Sequence, residues 1–107
     1  MAIDLDRQKP VLGGVTGGLS GPAIKPIALK AVWDAASAVK IPIIGAGGII
    51  NYRDALEFFM AGATAVQIGT ANFISPMAML EIIQGIDGFL KQRGFKNIRE
   101  IIGSAKL

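Results

Sequence analysis

The architecture expected of this chain follows from one segment, Ile41-Pro42-Ile43-Ile44-Gly45-Ala46-Gly47-Gly48. Its first four residues, Ile41–Ile44, are apolar and mostly β-branched, and the glycines after them are typical of a tight turn at the end of a strand. Because this apolar run does not alternate with polar residues, it predicts a parallel strand that is covered on both faces. A second strand is predicted at Ala65–Gly69, which also ends in glycine.

Helices are predicted on either side of the first strand. Pro26 suits a first helical turn, and apolar side chains at helical spacing indicate a helix over 25–39 with Trp33 on its buried stripe. Asn51, followed three residues later by Asp54, is typical of the N-cap and N3 positions of a second helix. That helix is expected to connect the two strands.

Glycine and serine mark the expected limits of the later helices. Gly62 is predicted to end the second helix, and Gly94 the third. Ser75 is the expected N-cap of a third helix over 76–92, whose interior is weakened by Gly85 and Gly88. Alternation of helices with strands indicates an α/β fold with a parallel sheet and right-handed crossovers.

Two short elements are predicted towards the ends of the chain. Val11-Leu12 and Val15 are expected to form a hairpin around Gly13-Gly14. Asn97 and Glu100 have the spacing of a capping box and predict a short final helix.

The composition excludes several classes of function. The length allows a single domain, residues 1–107, but not a closed (β/α)8 barrel, which needs roughly 200 residues. Cysteine and histidine are absent, so disulfides, thiolate or imidazole metal sites and a histidine base are excluded. Basic residues are scattered, and no apolar run could span a bilayer. We therefore expect a cytoplasmic protein with no metal, no nucleic-acid partner and no membrane partner.

Glycine-rich turns are the candidate binding elements. Gly45–Gly48 and Gly69-Thr70 end the two predicted strands, and Gly17–Gly21 precedes the first helix. Glycine allows backbone N–H groups to approach a phosphate closely, and a threonine hydroxyl adds a donor. The alternative is that each is only a tight turn. The glycines do not have the spacing of a P-loop or of a dinucleotide-binding fingerprint, so both of these motifs are excluded.

Three polar residues have two possible roles each. Lys25 is expected either to contact an anion beside the first glycine loop or to be solvated. Asn72 is expected to line a ligand or to stabilise a turn, and Asp54 to act as a cap or a surface residue. At this point the sequence does not decide between these roles.

Taken together, the motifs resemble the dihydroorotate dehydrogenase family. The resemblance rests on Gly17–Pro22, Pro42–Ile49, Asp54–Phe58 and Ala61–Ala71, with the spacing between them preserved. Gly21–Leu29 is most similar to the class 1B catalytic subunit. The resemblance implies the C-terminal portion of a (β/α)8 barrel, namely its last two parallel strands with flanking helices.

The resemblance also implies a cofactor site. Family contacts to FMN fall on Gly21, Gly47, Gly48, Gly69 and Thr70. The backbone amides of the last four are expected to hold the FMN phosphate, and Gly21 is expected to lie beside the cofactor. Family members oxidise dihydroorotate to orotate in pyrimidine biosynthesis.

The family's catalytic base, a cysteine in class 1, lies upstream of the motifs matched here. No catalytic residue is therefore assigned, and we expect the chain alone to be inactive and to bind FMN weakly or not at all. A class 1B enzyme implies a second subunit with FAD and an iron–sulfur cluster, and NAD as the final acceptor.

Two strands cannot close a barrel, so a homo-oligomer that pairs strands between chains is also expected. Two alternatives remain at this point. The chain could be a non-catalytic self-associating α/β module, or a fragment of another phosphate-binding barrel enzyme.

Overall fold

A computed structural model describes residues 1–106, which contain two separate two-stranded sheets and four α-helices. A short 3-10 turn precedes the first helix, and another follows the last helix. The strands are β1 (Ile3–Asp4), β2 (Lys9–Pro10), β3 (Ile44–Ala46) and β4 (Ala65–Gln67), and the helices are α1 (Lys25–Ala38), α2 (Tyr52–Ala61), α3 (Ala71–Ile74) and α4 (Ala78–Arg93).

The central sheet consists of β3 and β4, which pair in parallel, as predicted. Gly45 faces the helices, and a Cβ there would lie 2.6 Å from the Phe58 ring of α2, so glycine lets this helix pack directly on the strand. Ile44 and Ala46 point to the other face and are exposed. The prediction of a strand covered on both faces is therefore wrong, because the described helices pack on one side of the sheet only.

The three long helices lie in a row with α2 in the middle. Helix α2 packs against both α1 and α4, and most of its side chains are buried, including the fully buried Phe58. Residues after α4 complete this core, since Ile101 is almost fully buried. The N–H groups of Gly103 and Ala105 donate to the carbonyls of Phe59 and Met60 at 2.9 and 3.1 Å. The Phe59 carbonyl also accepts the Gly62 N–H at 2.9 Å, so this segment adds to the cap that Gly62 already provides.

Several local predictions are confirmed. Asn51 caps α2, with its side-chain oxygen accepting the Asp54 N–H at 3.0 Å. Gly62 ends α2 with φ of 120°, and Gly94 ends α4 in the left-handed conformation. The capping box that was predicted near the C-terminus is also present, over a 3-10 turn at Ile98–Glu100.

Other boundaries differ from those predicted. Strand β3 begins at Ile44 rather than Ile41. Helix α4 begins at Ala78 rather than residue 76, and Ser75 is not its N-cap, because the unpredicted helix α3 occupies the preceding residues. The prediction of a hairpin around Gly13-Gly14 is also wrong, because the antiparallel pair is formed by Ile3–Asp4 and Lys9–Pro10.

Apolar side chains remain exposed on three sides of the helical row and sheet. Ile44 is exposed on the open sheet face, and Ile27 is exposed on α1. On one flank of α4 the exposed residues are Met79, Leu80 and Ile83. Among residues 1–106, one face of the β3–β4 sheet and the outer flanks of α1 and α4 are therefore not covered by another element. Within residues 1–106, no helix has the length and apolar character needed to cross a bilayer.

Gly85 allows α4 to approach α2 closely. A Cβ at Gly85 would lie 2.4 Å from Cγ and 2.6 Å from Cβ of Tyr52, atoms too near the backbone to move away easily. A Cβ at Gly88 would meet no atom within 4 Å. Both glycines were predicted to weaken this helix, but of the two only Gly85 has a packing role.

We expect Gly85→Ala to lower the free energy of unfolding by about 1–3 kcal/mol, because the added methyl group overpacks the contact with Tyr52. Gly88→Ala is the matched control. It is expected to leave stability unchanged or raise it by up to about 1 kcal/mol through higher helix propensity. Urea unfolding followed by circular dichroism measures both, and equal effects would contradict the proposed role of Gly85.

Candidate functional site

A cavity of about 550 Å³ opens at the carboxyl ends of β3 and β4. One wall consists of the turn after β3 together with Ser20 and Gly21, and the other consists of Ile68–Ala71 after β4. The structure brings together around this one cavity all five residues predicted to bind the cofactor, Gly21, Gly47, Gly48, Gly69 and Thr70.

The fold itself requires glycine at two of these positions. Gly47 and Gly48 have positive φ values of 119° and 73°. A Cβ at Gly47 would lie 2.8 Å from Cβ of Ala28, and one at Gly48 would lie 2.8 Å from the backbone nitrogen of Lys25 and 2.9 Å from the Gly21 oxygen. Their identity is therefore explained by the close approach of this turn to the start of α1, whether or not a ligand binds.

Gly69 has no comparable structural explanation. A Cβ at this position would meet no atom within 4 Å, and Gly69 is not among the positive-φ glycines. The protein's own packing would accept a larger side chain here, at the edge of the cavity. Gly21 also has open space beside it, although its φ of 95° favours glycine. Both openings provide room for a bound group.

Asn72 acts as a turn residue. Its side-chain nitrogen donates to the carbonyls of Ile68 and Gly69 at 2.8 and 3.2 Å. These bonds hold the end of β4 against the first turn of α3. Of the two roles left open by the sequence, the structure thus selects the stabilisation of a turn.

Lys25 has neither of the two roles expected for it. Its ammonium group lies 2.7 Å from Oδ1 of Asp54 and 3.1 Å from Oε1 of Glu57, both on α2. This ion pair joins the start of α1 to the first turns of α2. No sequence signal indicated it, because the partners are 29 and 32 residues away from Lys25.

Asp54 is a buried carboxylate with two different partners. Oδ1 accepts from Lys25, and Oδ2 accepts the backbone N–H of Ile50 at 3.1 Å. Burial acts to raise the pKa of Asp54, but the bonds from Lys25 and Ile50 outweigh it and the pKa lies below its ordinary value. The hydrogen bond to Asp54 is the main reason that the pKa of Lys25 is raised. Of the two roles expected for Asp54, the surface role is wrong, because the residue is buried. Its carboxylate accepts an N–H beside the N-cap of α2 and is also paired with Lys25, which was not predicted.

The lining of the cavity favours binding over acid–base chemistry. Its side chains are apolar or neutral, with Ser20, Gln67 and Thr70 as the polar members, and no ionisable side chain among the described residues lines it. No carboxylate among the described residues therefore faces the cavity itself. Within residues 1–106, no three His, Cys, Asp or Glu side chains come together to hold a metal ion.

Comparison with known proteins shows the family of this chain. The family model described as "Dihydroorotate dehydrogenase" matches residues 1–90. The chain belongs to the dihydroorotate dehydrogenase family. The family is thus the one that the sequence motifs resemble.

Curated relatives in this family are similar along the whole chain. The catalytic subunit of dihydroorotate dehydrogenase B (NAD(+)) from Caldicellulosiruptor bescii is 59% identical over 107 residues, which are 100% of this chain and 36% of that protein. The corresponding subunit from Trichlorobacter lovleyi is 60% identical over 104 residues, 97% of this chain and 34% of the relative. The chain therefore spans about a third of the length of these relatives.

Solved dihydroorotate dehydrogenase structures share the fold. The enzyme from Eimeria tenella in complex with ferulenol superposes with a TM-score of 0.77 at 33% identity, over 83% of this chain and 24% of the other. The ligand-free form gives 0.80 at 32% identity, over 85% and 26%. The two parallel strands and their helices thus correspond to part of a (β/α)8 barrel, which confirms the predicted fold class.

The ion pair of Asp54 predicts a dependence of stability on pH. Because the pKa of Asp54 is lowered in the folded state, its stabilisation is present above the unfolded-state pKa and is lost as the pH falls through the folded-state pKa. We expect Asp54→Asn to lower the free energy of unfolding by about 1–3 kcal/mol at neutral pH and to reduce its decline in acid.

Urea unfolding between neutral and acidic pH measures this effect. Glu57→Gln is the control, because Glu57 binds the same lysine at an exposed position and should contribute less than about 1 kcal/mol. Parallel acid profiles for wild-type protein and Asp54→Asn would contradict the assignment.

Proposed function

We propose that this chain is the C-terminal, FMN-phosphate-binding part of a dihydroorotate dehydrogenase, the FMN-dependent oxidoreductase that converts dihydroorotate to orotate in pyrimidine biosynthesis. The proposal depends mainly on the convergence of Gly21, Gly47, Gly48, Gly69 and Thr70 at one cavity, in a chain that belongs to this family. The open space beside Gly69 supports it, since the chain's own packing does not explain a glycine there.

The residues of the cavity have distinct proposed roles. The backbone N–H groups of Gly47, Gly48, Gly69 and Thr70 bind the phosphate, and Gly21 lies beside the flavin. Bound FMN supplies the hydride acceptor for the oxidation of dihydroorotate. No residue of the cavity is proposed as an acid or base, because its lining has no ionisable side chain among the described residues. In the intact protein these residues thus hold the cofactor by its phosphate, and we propose that the chain alone binds FMN weakly and is inactive.

The names of the relatives support further parts of the proposal. They are called catalytic subunits of an NAD(+)-dependent enzyme, so we propose that the intact protein works with an electron-transfer subunit that carries FAD and an iron–sulfur cluster. NAD is a nucleotide of the cell interior, which supports a cytoplasmic location. The family match argues against the alternative of a different phosphate-binding barrel.

The phosphate site is tested by comparing FMN with riboflavin, which lacks the phosphate. We expect this chain to bind FMN roughly tenfold or more tightly than riboflavin, because hydrogen bonds to a charged group are lost with the phosphate. Gly69→Ala should weaken FMN binding about tenfold while leaving the melting temperature unchanged, since the methyl group occupies space only in the cavity. Flavin fluorescence titration measures both effects.

Gly88→Ala is the control, because it also adds a methyl group in open space but lies away from the cavity. Equal affinities for FMN and riboflavin would exclude a phosphate site. Dihydroorotate-dependent reduction of a dye by this chain with added FMN would contradict the proposal that it is inactive alone.

We also propose that the isolated chain self-associates. The apolar side chains exposed on the sheet face, α1 and α4 support this, together with the unpaired edges of the β3–β4 sheet. A homo-oligomer would cover these surfaces in place of the missing barrel units. A non-catalytic association module remains the second candidate function, and the flavin titration distinguishes the two because such a module would not bind FMN.

Light scattering after gel filtration tests self-association at micromolar concentration. We expect an oligomer, and we expect Ile83→Glu on the exposed flank of α4 to shift it towards monomer, because a carboxylate is costly to bury. Gln84→Glu adds the same charge one position along, on an already polar exposed site, and is the control. A folded, monodisperse wild-type monomer would exclude self-association.

A further inference from the structure

Asp54 and Lys25 lie directly behind one wall of the cavity. Neither residue lines it. Asp54 is only 7% exposed, and Lys25 is half-buried with its ammonium group directed to α2 rather than to the cavity. Any influence of the pair on a bound group must therefore pass through the backbone that separates them from the cavity.

Both segments of that wall, the Gly21 loop and the turn after β3, meet at the start of α1. The Gly48 backbone lies so close to the start of α1 that a Cβ would be 2.8 Å from the Lys25 nitrogen and 2.9 Å from the Gly21 oxygen. The Gly21 oxygen in turn accepts the Ile24 N–H at 3.2 Å. The start of α1 is thus the surface on which both the Gly21 loop and the turn after β3 rest.

The carboxylate of Asp54 fixes the turn from its other end. Oδ2 accepts the Ile50 N–H at 3.1 Å, while Oδ1 holds Lys25 at 2.7 Å. The Asp54 backbone is itself fixed, because its N–H donates to the cap Asn51 at 3.0 Å. One side chain therefore connects the end of the Gly47–Ile50 turn to the helix against which Gly48 packs.

We propose that Asp54 is a positioning residue that, through Lys25 and the Ile50 N–H, holds the Gly47–Ile50 turn in the conformation that presents its backbone N–H groups to a phosphate. The phosphate part rests on the proposed function, whereas the effect on the turn stands on the geometry alone. The charge of the carboxylate is essential, since it accepts from a cation and an N–H at the same time.

Glu57 shows why the position matters and not only the charge. It binds the same ammonium group at 3.1 Å, but it is exposed and makes no bond to the turn. The charged groups around Asp54 are Lys25 from α1 and, beyond it, Glu57 on α2, while the turn supplies only a backbone N–H. Removing either carboxylate therefore leaves Lys25 with one partner, but only Asp54→Asn also removes the charge that the turn binds.

Backbone amide exchange and inorganic phosphate titration, both followed by NMR, test the proposal on the whole chain. We expect Asp54→Asn to increase exchange at Gly48 and Ile50 about tenfold or more, with little change in the middle of α4. It should also weaken phosphate binding about tenfold. Glu57→Gln should change both quantities less than about threefold.

The outcomes separate this proposal from the proposed function. If wild-type protein binds neither phosphate nor FMN, the proposed function fails, while exchange in the turn still tests the positioning role. Uniformly faster exchange throughout the Asp54→Asn protein, or equal effects of the two variants on the turn, would overturn the positioning role.

If Asp54→Asn does not fold, acid titration of the wild-type protein followed by NMR tests the proposal instead. The amide resonances of Gly48 and Ile50 should then shift together as the Asp54 carboxylate is protonated, before global unfolding. Turn resonances that do not follow this protonation would overturn the proposal.

Discussion

The close packing of the turn after β3 on the start of α1 is the contact on which the site depends. It requires that Gly47 and Gly48 have no side chain, because a Cβ at either would lie within 3 Å of α1. It also requires an attraction that holds the two backbones together, which the Lys25–Asp54 pair supplies at 2.7 Å. Glycine makes the approach possible and the ion pair makes it stable. Together they form one wall of the cavity, although neither Lys25 nor Asp54 faces the cavity itself.

Local chemistry made much of the fold predictable. The caps at Asn51, Gly62, Gly94 and Asn97 depend on residues within one turn of each other, and all four are found where expected. Features that depend on distant residues were not predictable. The Lys25–Asp54 pair connects two helices, and the contact of Gly85 with Tyr52 depends on how two helices approach. The prediction that both faces of β3 are covered was wrong for the same reason. An apolar run indicates that a strand favours burial, but whether other elements cover it depends on distant residues.

The candidate site was predictable in composition but not in the reason for each residue. Its five residues follow from glycine and threonine after two strands and from the family resemblance, and the structure places them around one cavity. The sequence could not distinguish glycines that the backbone needs from one that it does not. Gly48 is explained by a positive φ and a nearby helix, whereas Gly69 has neither constraint. Only the three-dimensional structure shows this difference, and it leaves the space beside Gly69 free for a bound group.

The bonds from Gly103 and Ala105 to the end of α2 have a consequence for how the protein is made. The middle helix is synthesised some 40 residues before the segment that donates to the carbonyls of Phe59 and Met60. During translation α2 can pack against α1 and be capped by Gly62, but the Met60 carbonyl lacks its Ala105 partner until residues 103–105 leave the ribosome. The contacts of the most buried helix are thus completed only after α4 has been synthesised.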